Sequence, residues 1–290
     1  MIPAAFDYHS PASLDEAIGL LTRHGDQAKL LSGGMSLLPT LKLRLGAFEH
    51  LIDINRIPGL EYIKEEKGVL RIGAMTRQAT LERSELICTK YPILGDAVPL
   101  IADPLVRNRG TIGGNIANGD PANDEPAIIL ALGATLVARG PKGERTIAAN
   151  KFYTDLYTTA LAHDEILTEI CIPAPPARSG GAYVKLKRKT GDFATAATAV
   201  QLTLDAKGVV ERAGIGLTNA GPTPLEAVDA ALFLVGKTLD AKTIVEAAKK
   251  AAAIASPSAD HRGSVEYKQE MTRVMTERAL QKAAARAGGK

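Results

Sequence analysis

Two stretches decide how this chain is read: Ser32-Gly33-Gly34-Met35-Ser36 and Thr111-Ile112-Gly113-Gly114-Asn115. Each sets a glycine pair among small hydroxyl or amide residues, beside a regular element. The first follows a short apolar strand, Lys29 to Leu31, and runs into a second apolar stretch, Leu37 to Leu45. A diphosphate is held by backbone N–H groups aimed inward at close range, and a Cβ obstructs that approach, so glycine is used. One such turn is a weak signal. Two that converge can clamp one pyrophosphate from both sides. Two ordinary tight turns would use the same residues, so the pattern alone leaves both readings open.

Other nucleotide sites fit less well. There is no G-x-x-x-x-G-K-[ST] loop. Gly214-Ile215-Gly216 starts like a dinucleotide fingerprint, but Asn219 stands where the third glycine belongs. The triplet also lies inside an alternating stretch rather than at a strand-to-helix turn, so it reads as a structural strand.

Outward from the turns, regular elements follow from pattern. Ser13 and Glu16 form a capping box before Leu14, Ala17, Ile18 and Leu21, a helix that Gly25 ends. Leu51 to Ile54 and Val69 to Gly73 read as strands, with Leu60 to Gly68 a charged turn region between them. Thr76 caps a helix to Leu86, and Pro92 opens another to Ile101. Asn118 to Pro126 is polar and turn-rich. Ala127 to Leu132 is helical, and Ala134 to Ala138 and Ile166 to Ile172 are strands. Pro173-Ala174-Pro175-Pro176 and Ser179-Gly180-Gly181 mark the clearest boundary. Beyond it, Ala182 to Arg188, Ala196 to Leu204 and Val209 to Thr218 alternate like strands. Helices at Pro224 to Val235, Ala241 to Ala253 and from Ser264 complete the chain. The last carries Tyr267, Met271, Val274, Met275 and Ala279 on one face, and Arg286 to Lys290 should fray. Strands followed by helices make this half α+β.

Composition narrows the function. The chain's 290 residues suffice for two domains, and 46% hydrophobic with 23% charged residues is a globular balance. The net charge of +3 comes from interleaved charges, with no basic stripe for nucleic acid. No apolar run spans a membrane, and Met1 to Ser10 lacks a leader pattern, so a cytoplasmic location is expected, with any membrane association coming through partners. Cys88 and Cys171 stand alone and read as two buried small side chains, unable to ligate a cluster. The five histidines look scattered, without metal-ligand spacing, so no metal site is expected.

The motifs together resemble the FAD-binding medium subunits of molybdenum hydroxylases, most closely the carbon monoxide dehydrogenase branch. The strings that carry this are Ser32 to Pro39 with Lys42 and Arg44, Thr111 to Asn115, Ala102-Asp103-Pro104, Asn118 to Pro126, and Lys185 to Ala196. They are spread over the whole chain. The resemblance implies a two-part FAD-binding domain at 1–177, a small N-terminal α/β lobe plus a larger α+β lobe. A C-terminal domain at 178–290, a three-stranded antiparallel sheet with three helices, follows. It implies an oxidoreductase subunit that takes electrons from iron–sulfur clusters and passes them through FAD to an external acceptor. The molybdenum cofactor belongs to a large partner subunit and the [2Fe-2S] clusters to a small one, assembled as a dimer of heterotrimers. Rival readings are the same subunit in an aldehyde, purine or N-heterocycle hydroxylase, a stand-alone FAD oxidoreductase, and a non-enzymatic nucleotide-binding module.

Carried over residue by residue, Ser32, Gly33, Gly34, Met35, Ser36 and Leu37 with Thr111, Ile112, Gly113, Gly114 and Asn115 resemble the pyrophosphate cradle. Ile101 and Ala102 resemble contacts along the flavin, Asp124 a carboxylate toward polyol or ribose, and Leu167 a backbone contact near a ring. Lys187 resembles a cation at the pyrimidine edge, where it would stabilise charge on reduced flavin. Phe193 stands where relatives have Tyr or Trp beside the ring, keeping a stacking face without a hydroxyl. Ser32 replaces the usual Ala, and Met35 a His or Gln. No general acid or nucleophile is implied.

Overall fold

The computed structural model describes residues 2–289; Met1 and Lys290, the outer ends of the two expected domains, lie outside them. The N-terminal lobe is a parallel three-stranded sheet. It is built from β1 (Asp7–His9), α1 (Leu14–His24), β2 (Ala28–Leu31), α2 (Leu37–Lys42) and β3 (His50–Asp53), with strand order β1-β3-β2. Ser13 caps α1 by accepting from the Glu16 N–H, while the Glu16 carboxylate reaches back to the Ala12 N–H. Ala17, Ile18 and Leu21 then bury against Ile52 and Ile54. The sequence missed β1, which is only three residues long.

The larger lobe opens with the hairpin β4 (Ile63–Glu66) and β5 (Val69–Gly73). This corrects the reading of Leu60 to Gly68 as turn: β4 is an edge strand whose Lys64 and Glu66 face solvent while Glu65 accepts from Lys90 and Tyr91, a charged pattern that blunts edge pairing but disguises the strand. The helix expected over Thr76 to Leu86 is two, α3 (Gln78–Glu82) and α4 (Glu85–Lys90), the second capped by Ser84. Thr76 caps neither. It is buried, and its hydroxyl exchanges hydrogen bonds with the Tyr62 backbone. Next come α5 (Pro92–Ala97), α6 (Pro104–Arg107), α7 (Ile112–Ala117) and α8 (Asp124–Ala131), then β6 (Thr135–Gly140), β7 (Gly143–Ala148), the small pair β8 (Tyr153–Asp155) and β9 (Thr158–Thr159), and β10 (Ile166–Pro173). The main sheet has the antiparallel order β4-β5-β10-β6-β7.

The C-terminal sheet runs β11 (Ser179–Leu186), β12 (Ala196–Leu204), β13 (Val210–Thr218) and a two-residue β14 (Leu225–Glu226), followed by α9 (Val228–Leu234), α10 (Ala241–Ala253) and α11 (Val265–Ala287). Four strands thus replace the expected three, because Leu225 and Glu226 pair with β13 before the helix expected from Pro224 can start. The sheet is buried on both faces. Ala197 and Ala199 of β12 join the core around α8, while Val200 and Leu202 join that of α9 to α11. Gly214 and Gly216 on β13 explain themselves here: a Cβ on either would collide with the Ala131 or Ala127 carbonyl of α8. Gly180, expected in a linker, lies in β11, where a Cβ would strike the Ala283 carbonyl of α11.

The face of α11 is also corrected. Tyr267 is exposed, whereas Lys268, Thr272, Met275, Thr276, Ala279 and Leu280 are buried. Thr272 and Thr276 donate to carbonyls one turn back, so hydroxyls line a face that apolar periodicity alone cannot find. The helix end does not fray over its described residues, since Arg286 grips the Asp96 carboxylate and the Gly181 carbonyl. Neither cysteine is buried: Cys88 is exposed and Cys171 half-buried. Among the described residues no helix is long and apolar enough to cross a membrane.

Candidate functional site

The two glycine turns meet. Ser32 Oγ lies 2.7 Å from Thr111 Oγ1. A Cβ on Gly33 would collide with the Arg109 carbonyl, so only glycine lets the first turn sit against the segment that leads into the second. The first turn leaves the C-terminal end of β2 and enters α2. Asn55 and Arg77 brace it: Asn55 Nδ2 donates to the Ser32 carbonyl at 2.9 Å, and Arg77 donates to the Arg109 carbonyl at 2.6 Å and to Asn55 Oδ1 at 2.5 Å. Burial and the neighbouring Arg109 charge push the Arg77 guanidinium below its ordinary value. Two guanidiniums beside a glycine turn suit an anionic ligand.

The backbone donors differ between the turns. Among the described residues, the N–H groups of Gly33, Gly34, Met35, Ser36 and Leu37 find no protein acceptor. Gly33 and Gly34 are buried, Met35 and Ser36 are exposed, and Gly34 has a φ of +76°. Buried N–H groups need partners, so this run fits phosphate oxygens. The second turn departs from the sequence expectation. Its N–H groups are spent inside the protein: Ile112 on Thr76, Gly113 on Ala74, and Gly114 and Asn115 on the Thr111 hydroxyl and carbonyl. What it leaves free is the Asn115 Oδ1, buried without a hydrogen-bond partner among the described residues; the Thr111 hydroxyl is already taken by the Gly114 N–H and Ser32.

From the second turn the contacts continue through Asn123, which donates to the Asn115 carbonyl, to Asp124 at the start of α8. Asp124 is buried, and it accepts from the Tyr183 hydroxyl at 2.6 Å and from Lys185 Nζ at 2.8 Å. Burial pushes its carboxyl up, against the opposing pull of Lys185 and Tyr183. Lys185 also donates to the Leu100 carbonyl, and Arg107 donates to that of Ile101. These two hold the strap at 100–102, where Ala102 adopts a φ of +44°, a left-handed conformation uncommon outside glycine. A Cβ on Gly191 would rest 3.5 Å from the Ala102 carbonyl, so the loop bearing Lys187 and Phe193 lies against this strap.

Each expected residue can now be placed. The first turn, the second turn, Ile101, Ala102 and Asp124 form one connected row, with the Lys187 to Phe193 loop at its far end. Phe193 is 45% exposed. Lys187 makes no ion pair or hydrogen bond among the described residues, though its charge acts on Asp124. Leu167 is buried on β10; its neighbour Thr168 accepts from the Ala74 N–H, and the Ala74 carbonyl accepts from Gly113. Sequence reasoning missed Asn55, Arg77 and the Arg262–Asp192 pair, which pins the Phe193 loop at 2.7 Å. Asp192 lay inside a quoted string. Nothing in the sequence marked Asn55, Arg77 or Arg262. The free N–H run and the two guanidiniums fit a diphosphate, while the orphaned Asn115 oxygen, an acceptor, fits a hydroxyl or N–H donor elsewhere on a dinucleotide such as FAD.

Comparison with known proteins agrees with this chemistry. Residues 4–175 match the family described as the FAD binding domain in molybdopterin dehydrogenase, and residues 181–283 match the CO dehydrogenase flavoprotein C-terminal domain. The chain is 49% identical over 287 residues, covering 99% of both chains, to the carbon monoxide dehydrogenase medium chain of Afipia carboxidovorans. It is 38% identical, over 99% of this chain and 97% of the other, to subunit alpha of the 6-hydroxypseudooxynicotine dehydrogenase complex of Paenarthrobacter nicotinovorans. Its structure matches a chain of carbon monoxide dehydrogenase from Hydrogenophaga pseudoflava, solved lacking the Mo-pyranopterin moiety, with a TM-score of 0.96, 49% identity and 99% coverage of both chains.

Proposed function

The chain belongs to the family of FAD-binding medium subunits of molybdenum hydroxylases, and on that premise we propose that it relays electrons in a carbon monoxide dehydrogenase. It takes them from iron–sulfur clusters on a small partner subunit and passes them through FAD to an external acceptor. Carbon monoxide is oxidised at the molybdenum cofactor of a large partner subunit. The assembly is a dimer of heterotrimers in the cytoplasm. The substrate assignment rests on the margin between 49% identity to a carbon monoxide dehydrogenase chain and 38% to a 6-hydroxypseudooxynicotine dehydrogenase chain.

The observation that carries the cofactor assignment is the run of five unpartnered N–H groups from Gly33 to Leu37, set against the second turn. Residues 1–177 bind FAD and residues 178–290 cover it. Ser32 to Leu37 hold the pyrophosphate, and Thr111 to Asn115 flank it from the other side. Ile101 and Ala102 line the cofactor, with Leu167 behind the second turn. Asp124 shapes the pocket through Tyr183 and Lys185, because both of its oxygens are already engaged. Bound FAD supplies redox chemistry that the side chains lack. Lys187 sets the charge at the ring's pyrimidine edge, and Phe193 offers its part-exposed ring for stacking.

The test is a co-purified complex of this chain with its two partner subunits. One FAD per medium chain, and dye reduction driven by carbon monoxide but not by aldehyde, purine or N-heterocycle, is the expected result. Dye reduction by one of the latter substrates would reassign the complex. Absence of flavin would overturn the cofactor site.

A further inference from the structure

Three of the five histidines come together in the N-terminal lobe, although they are far apart in sequence. His9 ends β1, His24 ends α1 and His50 opens β3. His9 Nε2 lies 3.2 Å from His50 Nδ1, and one ring nitrogen from each of the three falls within 4.8 Å of the others. The His24 and His50 ring centroids are 3.7 Å apart, and His9 lies 5.5 and 5.3 Å from them. All three are partly buried, and the Asp7 carboxylate stands 3.7 Å from His50 Nδ1. Neither cysteine belongs to the group.

We propose that His9, His24 and His50 form a transition-metal site that binds one Zn2+ per chain. Zn–N bonds of about 2.0–2.1 Å in a tetrahedron put ligand nitrogens roughly 3.3 Å apart. The His9–His50 pair already has that spacing. His24 closes the remainder by a ring movement on the order of 1 Å, which its place at the last turn of α1 permits. Three imidazoles without thiolate select zinc, copper or nickel over calcium or magnesium, which prefer oxygen ligands. Asp7 stands 3.7 Å from that same His50 Nδ1, so its carboxylate lies beside the ion and adds negative charge to the site. The ion would join β1, α1 and β3, adding to the strand pairing, the Tyr8–Asp53 hydrogen bond and the small core around Ile52. The site lies at the opposite end of β2 and β3 from the cofactor turn: His50 pairs with Ala28, whereas Ser32 follows Leu31. Flavin and zinc can therefore be read out separately.

The experiment is calorimetric titration of the FAD-loaded full chain, stripped with chelator, with Zn2+. The same titration with Co2+ reads ligand-field absorption as a report of tetrahedral nitrogen ligation. One Zn2+ per chain is expected, with a rise in melting temperature. His24→Ala, at a helix end, should weaken binding by about tenfold or more. His9→Gln, the second variant, should do the same, and FAD content should be unchanged in both. Absence of Zn2+ binding overturns the proposal, and so does binding that neither variant weakens.

Discussion

From Gly33 to Leu37, five successive N–H groups find no acceptor among the described residues, whereas from Ile112 to Asn115 all four are taken. Two turns alike in sequence are therefore unlike in purpose. The first is an open cradle. The second is framework, tied through Asn123 to Asp124, Tyr183 and Lys185 and so to the C-terminal sheet. Glycine serves different ends as well. At Gly33 it lets one loop touch another; at Gly113 a Cβ would lie 2.5 Å from the Ala74 Cβ, which is close packing within the lobe. A glycine pair thus reports a close approach, without saying whether the neighbour is ligand or protein.

The sharpest way to test that division is Lys185→Met. It leaves the Asp124 carboxylate buried without its cation, and removing one partner of such a pair costs about 3–5 kcal/mol. Denaturant unfolding at neutral pH should show this loss, with FAD content falling only as folded protein falls. Gly33→Ala comes next. The forced separation of the turns costs about 1–3 kcal/mol as overpacking, and FAD affinity should drop about tenfold or more. Flavin absorbance per chain after dialysis measures it. Thr111→Val should remove the cap on Gly114, costing about 1 kcal/mol of stability with FAD affinity changed far less than in Gly33→Ala. If the valine variant instead lost its flavin while melting normally, the contrast between cradle and framework would fail.

An effect that is small near pH 4.5 and grows with pH concerns Glu125, under the second turn, where Gln78 donates to its carboxylate at 2.8 Å. Burial holds its carboxyl well above the usual value of 4.5. An acid whose folded value is raised gives full stability below the unfolded value and loses it as pH rises. The native chain should therefore lose stability from about pH 4.5 upward relative to Glu125→Gln. Melting temperatures of both proteins across pH 4 to 8 check it, and parallel curves would count against a neutral buried acid.

Much of this was legible in the sequence because local chemistry determined it. Ser13 caps where the pattern places a cap, the last helix begins at Ser264 as expected, and Ala196 to Leu204 is a strand with those very ends. The juxtaposition of the turns followed from matching motifs, but the unequal use of their N–H groups did not. That inequality depends on Thr76 and Ala74, which lie elsewhere in the chain and carry no signal. The buried face of α11 was misread because its threonines satisfy their hydroxyls within the helix. The three histidines looked scattered since parallel strand pairing, not spacing, brings His9 and His50 together.

Gly214 and Gly216 set α8 directly on β13, backbone against backbone. At these two points no side chain stands between helix and strand to give way, so α8 and β13 meet there at one fixed separation. The contact keeps Lys185 of the second half within reach of Asp124 of the first. It also limits grafting: a C-terminal half borrowed from a relative would work only with small residues at the same two points of contact.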